Sequence, residues 1–161
     1  MTSIDEPMHR QLRSCMAEFP TGVTVVTTID GDGVARGSTL NAVTSLSLQP
    51  PLLTAFFAET SATFAAITRA GVFAVNILGA AQAEVARAFA VKDDPTAWDS
   101  CTVTEGPMGM PLIDGCVSWL ACRVENCLPG GDHQIVVGQV IATGRPDGFG
   151  DPLIFHRGEL R

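Results

Sequence analysis

The stretch GSTLNAVTSLSLQPPL, residues 37–52, is the part of the chain that decides its fold. Between Val43 and Leu48, apolar and hydroxyl side chains alternate, which is the period of a β-strand with one buried face. Pro50 and Pro51 interrupt this pattern, and a second strand-like apolar run follows at 52–58. The stretch therefore predicts two consecutive strands separated by a short break, rather than a helix.

The strand pattern continues on both sides of this stretch. Runs of apolar or β-branched residues bounded by turn residues predict further strands at 23–29, 34–40, 72–78, 116–127 and 133–143. Apolar spacing and capping residues predict helices at about 5–18, 61–70 and 81–90, whereas residues 91–114 follow no clear pattern. Because strands mostly follow strands, the order favours a mainly β fold, an antiparallel barrel with peripheral helices, over a doubly wound parallel sheet. We expect one domain over residues 1–161, with the N-terminal helix at about 5–18 and the barrel at about 19–160.

Composition narrows the classes of function. Of the 161 residues, 46% are apolar and 17% are charged, which is enough apolar material for a substantial core. A net charge of −7 disfavours nucleic-acid binding, which requires clustered basic side chains. The uncharged run at 37–58 holds many hydroxyl groups and two prolines, so we do not expect it to enter a membrane. The start of the chain lacks a secretory pattern and the five cysteines include no C-x-x-C pair, which predicts a cytoplasmic protein with free thiols.

Common catalytic and nucleotide-binding motifs are missing from the sequence. Gly31, Gly33 and Gly37 do not have the spacing of the dinucleotide-binding fingerprint, and no helix is predicted after them. The three histidines are single and far apart, so we expect no metal site. Nothing indicates an acid–base pair, and an enzyme with this sequence would therefore depend on a cofactor for its chemistry.

Several segments, taken in order, resemble the short-chain flavin reductase family, whose members adopt a split β-barrel of the FMN-binding type that holds FMN or FAD. These segments are FPTGVTVVTT (19–28), GSTLNAVTSLSLQPPL (37–52), SAT (61–63), FAVNIL (73–78), GDH (131–133) and PLIFHRG (152–158). Each string alone is a weak signal, but their common order and spacing cover nearly the whole chain.

The resemblance implies a flavin site. It places the flavin ring and ribityl chain along residues 39–45 and the phosphate at the turn ETSAT, residues 59–63, where a helix N-terminus favours an anion. Ala62 stands where many relatives have Arg or Lys, and Lys92, the only lysine, is a second candidate for the phosphate. The candidate flavin-binding residues are Thr39, Leu40, Asn41, Ala42, Thr44, Ser45, Glu59, Thr60, Ser61, Ala62, Thr63 and Lys92.

The same residues also have simpler interpretations. Thr44 and Ser45 suit the solvent-facing side of an amphipathic strand, and Ser61 and Thr63 suit the cap of a helix. Lys92 also suits an exposed surface position.

The resemblance also implies a nicotinamide site. His133 is similar to the family's histidine near the nicotinamide and is the candidate catalytic residue, and His156 with Arg157 is similar to a C-terminal counterpart. Hydride passes from nicotinamide C4 to flavin N5 when the two rings stack, which requires alignment rather than a buried general base.

The function that the resemblance implies is an NAD(P)H-dependent flavin reductase. It would use NADH or NADPH to reduce FMN or FAD, form a homodimer with its flavin site at the subunit interface, and supply reduced flavin to a partner monooxygenase. Two alternatives stay open at this point. One is a non-catalytic or electron-transfer protein that holds FMN tightly, and the other is a barrel that binds a different small apolar ligand or mediates protein contacts.

Overall fold

Over the residues that the structure describes, 5–146 and 150–161, the computed structural model of the protein contains three α-helices and twelve β-strands. The helices are α1 (Asp5–Ala17), α2 (Ala62–Ala70) and α3 (Ala83–Ala90). The strands are β1 (Thr21–Gly22), β2 (Thr24–Ile29), β3 (Ala35–Leu40), β4 (Val43–Leu48), β5 (Pro51–Ala58), β6 (Val72–Ile77), β7 (Val103–Glu105), β8 (Pro111–Ile113), β9 (Ser118–Gly130), β10 (His133–Gly144), β11 (Ile154–His156) and β12 (Glu159–Leu160). Short 3₁₀ segments cover Ala80–Gln82, Pro95–Ser100 and Pro107–Gly109.

Seven strands form one antiparallel sheet in the order β3-β2-β6-β9-β10-β5-β4. The strands β3 and β4 are consecutive in the chain but lie at opposite edges of this sheet. Side chains from β2, β5, β6, β9 and β10 meet in one buried cluster, so the sheet curls around a common interior. The predicted mainly β, antiparallel barrel is confirmed, and the barrel is split between its edge strands β3 and β4.

The barrel interior is apolar and is closed at one end by α2. The cluster consists of Val26, Leu53, Ala55, Phe57, Ile67, Phe73, Val75, Cys122 and Val136. Ser61 caps α2 because its Oγ accepts a hydrogen bond from the Phe64 amide at 3.2 Å. The helix ends at Gly71, whose φ of 71° is the left-handed conformation that glycine adopts readily. Local capping residues therefore fix both ends of the helix that begins beside the predicted phosphate turn.

The third helix packs on the outer face of β2 and β3. Val85, Ala86 and Phe89 of α3 are buried against the sheet. A Cβ on Gly37 of β3 would lie 2.7 Å from the Phe89 ring, so only a glycine lets the ring rest on the strand. Thr39 Oγ1 donates a hydrogen bond to the Ala86 carbonyl at 2.8 Å and fixes the other end of the contact. This close packing brings the C-terminal end of α3 to the free edge of β3.

The stretch 91–114, which follows no clear sequence pattern, folds into the 3₁₀ segment Pro95–Ser100 and the small hairpin β7–β8. Asn76, fully buried on β6, holds this hairpin on the barrel. Its Oδ1 accepts from the Ile113 amide at 2.9 Å, and its Nδ2 donates to the Val25 carbonyl at 3.0 Å. Thr27 extends the network by donating to the Pro111 carbonyl at 2.6 Å.

Replacing Asn76 with Ala is expected to lower the free energy of unfolding by about 2–4 kcal/mol, because a buried amide and a buried carbonyl lose their partner together. Urea unfolding measures the loss. Asn126→Ala, at an exposed position of β9, is the matched control and should change stability by less than about 0.5 kcal/mol. Equal stability of the two variants would contradict the anchoring role of Asn76.

The two long strands are joined more tightly than the sequence suggests. The predicted strands at 116–127 and 133–143 leave five residues between them, whereas in the structure β9 continues to Gly130 and β10 starts at His133. Gly131 turns the chain with a φ of 73°. Pro129 is tolerated within a strand because the last part of β9 pairs only with β10 and leaves its other side free.

The first helix is the least buried element. Residues 7–16 are all exposed, and an apolar stripe of Met8, Leu12, Met16 and the following Phe19 is 55–64% exposed. Its C-terminal end is tied to the turn after β11, where the Arg157 amide donates to the Ala17 carbonyl at 3.1 Å. In the described part of the chain, the helices are too short or too polar to cross a membrane.

Candidate functional site

Three adjoining cavities surround β3 and the turn that follows it. The largest number of predicted site residues lies in a cleft of about 480 Å³, here called the β3 cleft, between β3, the start of α2 and residues 89–98. Seven of them line it, namely Thr39, Leu40, Thr60, Ser61, Ala62, Thr63 and Lys92. Because β3 is hydrogen-bonded only to β2, the cleft runs along a free strand edge. The fold thus brings together three segments that are distant in sequence.

The β3 cleft has a cationic, donor-rich end at the start of α2. The first amides of a helix have no acceptor within the helix, so those of Ala62 and Thr63 are available to an anion. Ser38 Oγ donates to Thr63 Oγ1 at 2.7 Å, which leaves the Thr63 hydroxyl hydrogen for another acceptor. Lys92 lines the opposite wall of the cleft, where its ammonium adds a positive charge. These donors suit a phosphate, although Ala62 itself contributes no side-chain charge.

An arginine that the sequence reasoning missed also lines the cleft. Arg36 Nε donates to Asp30 Oδ2 at 3.2 Å, and 41% of the Arg36 side chain is exposed. Asp30 also accepts from the amides of Val34 and Asp32, both at 3.0 Å. The Val34 amide, with smaller contributions from the Asp32 amide and the guanidinium, lowers the pKa of Asp30, which therefore stays ionised. The motif D-G-D-G followed by Arg could have indicated Arg36 from the sequence, because it predicts a hairpin in which Asp30 and Arg36 lie close together.

A second cavity, here called the apolar groove, measures about 840 Å³ and lies between β4, β5 and the segment that follows α1. It holds the other predicted flavin residues of the segment 39–45, which are Asn41, Ala42, Thr44 and Ser45. Most of its wall is apolar, with Met16 and Phe19 from the N-terminal segment at its margin. Thr21 Oγ1 also lines it and is buried without a hydrogen-bond partner among the described residues. The groove therefore offers a large apolar surface with one unsatisfied hydroxyl, that of Thr21.

A third cavity of about 560 Å³, the side pocket, lies between β3, α3 and the C-terminal hairpin β11–β12. Thr39 of β3 and Asn41, just after this strand, line it on one side, while Phe155 and Gly158 line it from the hairpin. Residues 39–42, at the end of β3 and just after it, therefore contribute to all three cavities. The apolar wall of the groove suits one face of a planar ring placed beside this segment.

The hairpin residues predicted to bind nicotinamide occupy two separate places in the chain. His133 begins β10 opposite Ala58, and the Glu59 amide donates to the Asp132 carbonyl at 3.1 Å, so this hairpin adjoins the turn at 59–63. His133 Nδ1 is 2.7 Å from Asp132 Oδ1, and this hydrogen bond lowers the pKa of Asp132. Neither His133 nor Glu59 lines the three cavities.

The other two predicted nicotinamide residues lie on the C-terminal hairpin. His156 ends β11, and Arg157 forms an ion pair with Glu18, with Nη2 and Oε2 at 2.5 Å. The hydrogen bond from Arg157 lowers the pKa of Glu18. These residues lie in a hairpin of a different sheet from that of His133, none of the three lines the cavities described above, and the guanidinium of Arg157 holds the end of α1 through Glu18.

The residues present fit a flavin nucleotide. The free amides of α2 with Lys92 suit its phosphate, the hydroxyls of β3 suit its ribityl chain, and the cavities beside 39–42 suit a largely apolar ring. In the described part of the chain, no group of three or more His, Cys, Asp and Glu side chains is placed to hold a metal.

Comparisons with known proteins agree with this chemistry. Residues 16–161 match the family model described as flavin reductase like domain. The reductase subunit HsaB of a flavin-dependent monooxygenase from Rhodococcus jostii is 37% identical over 152 residues, which cover 93% of this chain and 75% of that protein. The NADH-dependent FMN reductase AsuE2 of Streptomyces nodosus is 36% identical over 156 residues, which cover 95% and 84%. Among solved structures, the NADH:FAD oxidoreductase SgcE6 of Streptomyces globisporus, in complex with NAD and FAD fragments, has a TM-score of 0.87 and 37% identity, with 95% and 91% covered.

Proposed function

The chain belongs to the flavin reductase like domain family, and from this membership we propose that it is an NAD(P)H-dependent flavin oxidoreductase. The observation that carries the proposal is the β3 cleft, where the hydroxyls of β3, the start of α2 and Lys92 meet beside the apolar groove and the side pocket. The names of two relatives support this reaction, because one is an NADH-dependent FMN reductase and the other an NADH:FAD oxidoreductase. They give no support to a flavin protein without turnover.

The proposed position of the flavin follows from the order of groups along β3. The phosphate would lie at Thr60–Thr63 with Lys92 opposite, the ribityl chain along Ser38 and Thr39, and the ring beside Asn41 and Ala42. Bound flavin and nicotinamide supply hydride transfer from C4 to N5 when their rings stack. The chain's own residues bind, align and shield the rings from water, which is most of what this reaction requires from a protein.

A homodimer is the proposed assembly. The groove is lined mainly by apolar side chains, and next to it the edge strand β4 exposes Leu46 at 54% and Leu48 at 84%. Soluble monomers rarely expose contiguous apolar surface on this scale. A second copy of the chain, which carries the same apolar stripe on α1, would cover this face and complete the wall of the flavin site.

The proposed partner is a separate oxygenase that receives the reduced flavin. HsaB is a reductase subunit of a flavin-dependent monooxygenase, which supports the assignment.

We also propose a cytoplasmic location. All five cysteines are unpaired in the structure, as a reducing compartment would keep them. Burial raises the pKa of the Cys122 thiol to about 12, so this cysteine stays protonated in the core.

Oxidation of NADH or NADPH by the purified protein tests the proposal. We expect turnover that depends on added FMN or FAD and that is absent without flavin. Flavin that survives gel filtration without any nicotinamide oxidation would instead support a tightly held electron-transfer flavin. A colourless protein whose thermal midpoint ignores FMN, FAD and NADH would contradict both functions.

A further inference from the structure

The β3 cleft continues past the start of α2 to a group of residues that the mononucleotide part of a flavin would not reach. At this far end lie Val34 and Arg36 of the β2–β3 hairpin and Pro95 and Trp98 of the 3₁₀ segment. These residues surround the extension on two sides. The extension has a cation on one wall and an aromatic ring on the other.

The direction of this extension is set by β3. The hydrogen bond between Ser38 and Thr63 places the start of α2 beside Ser38. Arg36 is two residues earlier on the same face of the strand, about 7 Å away, whereas Asn41 lies in the opposite direction. With the phosphate at the start of α2 and the ring near Asn41, Arg36 is therefore on the far side of the phosphate from the ring.

Arg36 is held in place for an anion. The Asp30 carboxylate engages only Nε, and the two terminal nitrogens of the guanidinium donate to no acceptor within residues 5–146 and 150–161. A guanidinium fixed through Nε loses little conformational freedom when its terminal nitrogens bind phosphate oxygens. Of the two carboxylates on the opposite wall, that of Asp94 accepts from the amide and hydroxyl of Thr96 at 2.9 and 2.7 Å. The second carboxylate is that of Asp93, which follows Lys92 in the lining of the cleft.

Trp98 provides the aromatic part of the far end. Its ring packs edge to face on Phe89, with centroids 4.8 Å apart and an angle of 86°. A Cβ on Gly37 would lie 3.5 Å from Trp98 Cζ2, so the indole sits close above the strand, within reach of a ligand in the cleft. Purine rings stack favourably on such side chains.

We infer that this end of the cleft binds the adenosine diphosphate part of FAD, so that the protein prefers FAD to FMN. Arg36 contacts the second phosphate and Trp98 contacts the adenine. The inference rests on the proposed function and adds the choice of flavin, on which the names of the relatives divide between FMN and FAD.

Dissociation constants for FAD, FMN and riboflavin, measured by titration calorimetry on the wild type, Arg36→Gln and the control Arg123→Gln, test the inference. Arg123 is exposed on β9 and lies outside the three cavities. We expect Arg36→Gln to weaken FAD binding about tenfold, the effect of one charge-assisted hydrogen bond, and to change FMN and riboflavin binding less than about twofold. The control should bind all three flavins as the wild type does.

Three results would overturn the inference. They are a wild type that binds FMN as tightly as FAD, an Arg36 variant that loses both flavins equally, and an Arg36 variant that retains full FAD affinity. Trp98→Phe, which keeps an aromatic ring on Phe89, provides a second variant and should weaken FAD binding alone. Failure of the proposed function gives a different result, since the wild type would then bind none of the three flavins.

Discussion

The double substitution Phe19→Glu and Leu48→Glu is expected to convert the proposed dimer into monomers and to lower NADH-dependent flavin reduction at least about tenfold. Both side chains line the apolar groove and are 64% and 84% exposed in a single chain. In a twofold-symmetric interface each substitution occurs twice, so four carboxylates would have to be buried. We expect the dimer dissociation constant to rise at least about a thousandfold.

Activity should fall together with assembly because Asn41, Ala42, Thr44 and Ser45 line the same groove. Sedimentation analysis over a range of concentrations measures the assembly, and nicotinamide oxidation at the same concentrations measures the activity. Val103→Glu is the matched control, because Val103 is 46% exposed on the small hairpin β7–β8, away from the groove. A monomeric wild type, or monomers of the variant with full activity, would contradict the proposed dimer.

His133→Ala is expected to lower kcat/KM for NADH about 10- to 100-fold, the range by which a lost positioning contact slows a reaction that depends on alignment. The Asp132 carboxylate holds the imidazole through Nδ1 and leaves Nε2 for a ligand. The hydrogen bond from His133 lowers the pKa of Asp132, so this carboxylate stays ionised and keeps the ring oriented at neutral pH.

Flavin affinity separates this role from a structural one. The flavin dissociation constant of His133→Ala should stay within about twofold of the wild type, since His133 lies outside the cavities that hold the proposed flavin residues. Asp132→Asn should lower kcat/KM less than His133→Ala, because the imidazole remains and only its orientation is loosened. Wild-type kinetics in His133→Ala would remove His133 from the nicotinamide site.

Local sequence pattern predicted most of the regular structure. The alternation at 43–48 became β4 with the same bounds, and the capping residues Ser61 and Gly71 define α2 as expected. The 3₁₀ segment and the hairpin within 91–114 were not predictable in this way. Their strands have three residues each, and the hairpin is held by Asn76, which is more than thirty residues away in sequence.

The sequence predicted which segments form the candidate site, but not which cavity each of their residues lines. The residues 39–45 are contiguous in sequence, yet Thr39 and Leu40 line the β3 cleft whereas Thr44 and Ser45 line the apolar groove. Successive side chains of a strand point to opposite faces, and after residue 40 the chain leaves one edge strand of the split sheet and enters the other, β4. The spacing of residues in the sequence does not show that residues 39–45 are divided between the β3 cleft and the apolar groove.

The amino-acid sequence by itself determined the seven strands of the main sheet and the caps of α2, because alternation, capping and turn residues act over a few neighbouring positions. Only the tertiary structure decided that Arg36 is fixed by Asp30, that Trp98 rests over Gly37, and that His133 and His156 belong to different sheets. Each of these three arrangements depends on how segments distant in the sequence pack together. A local sequence pattern does not encode such contacts.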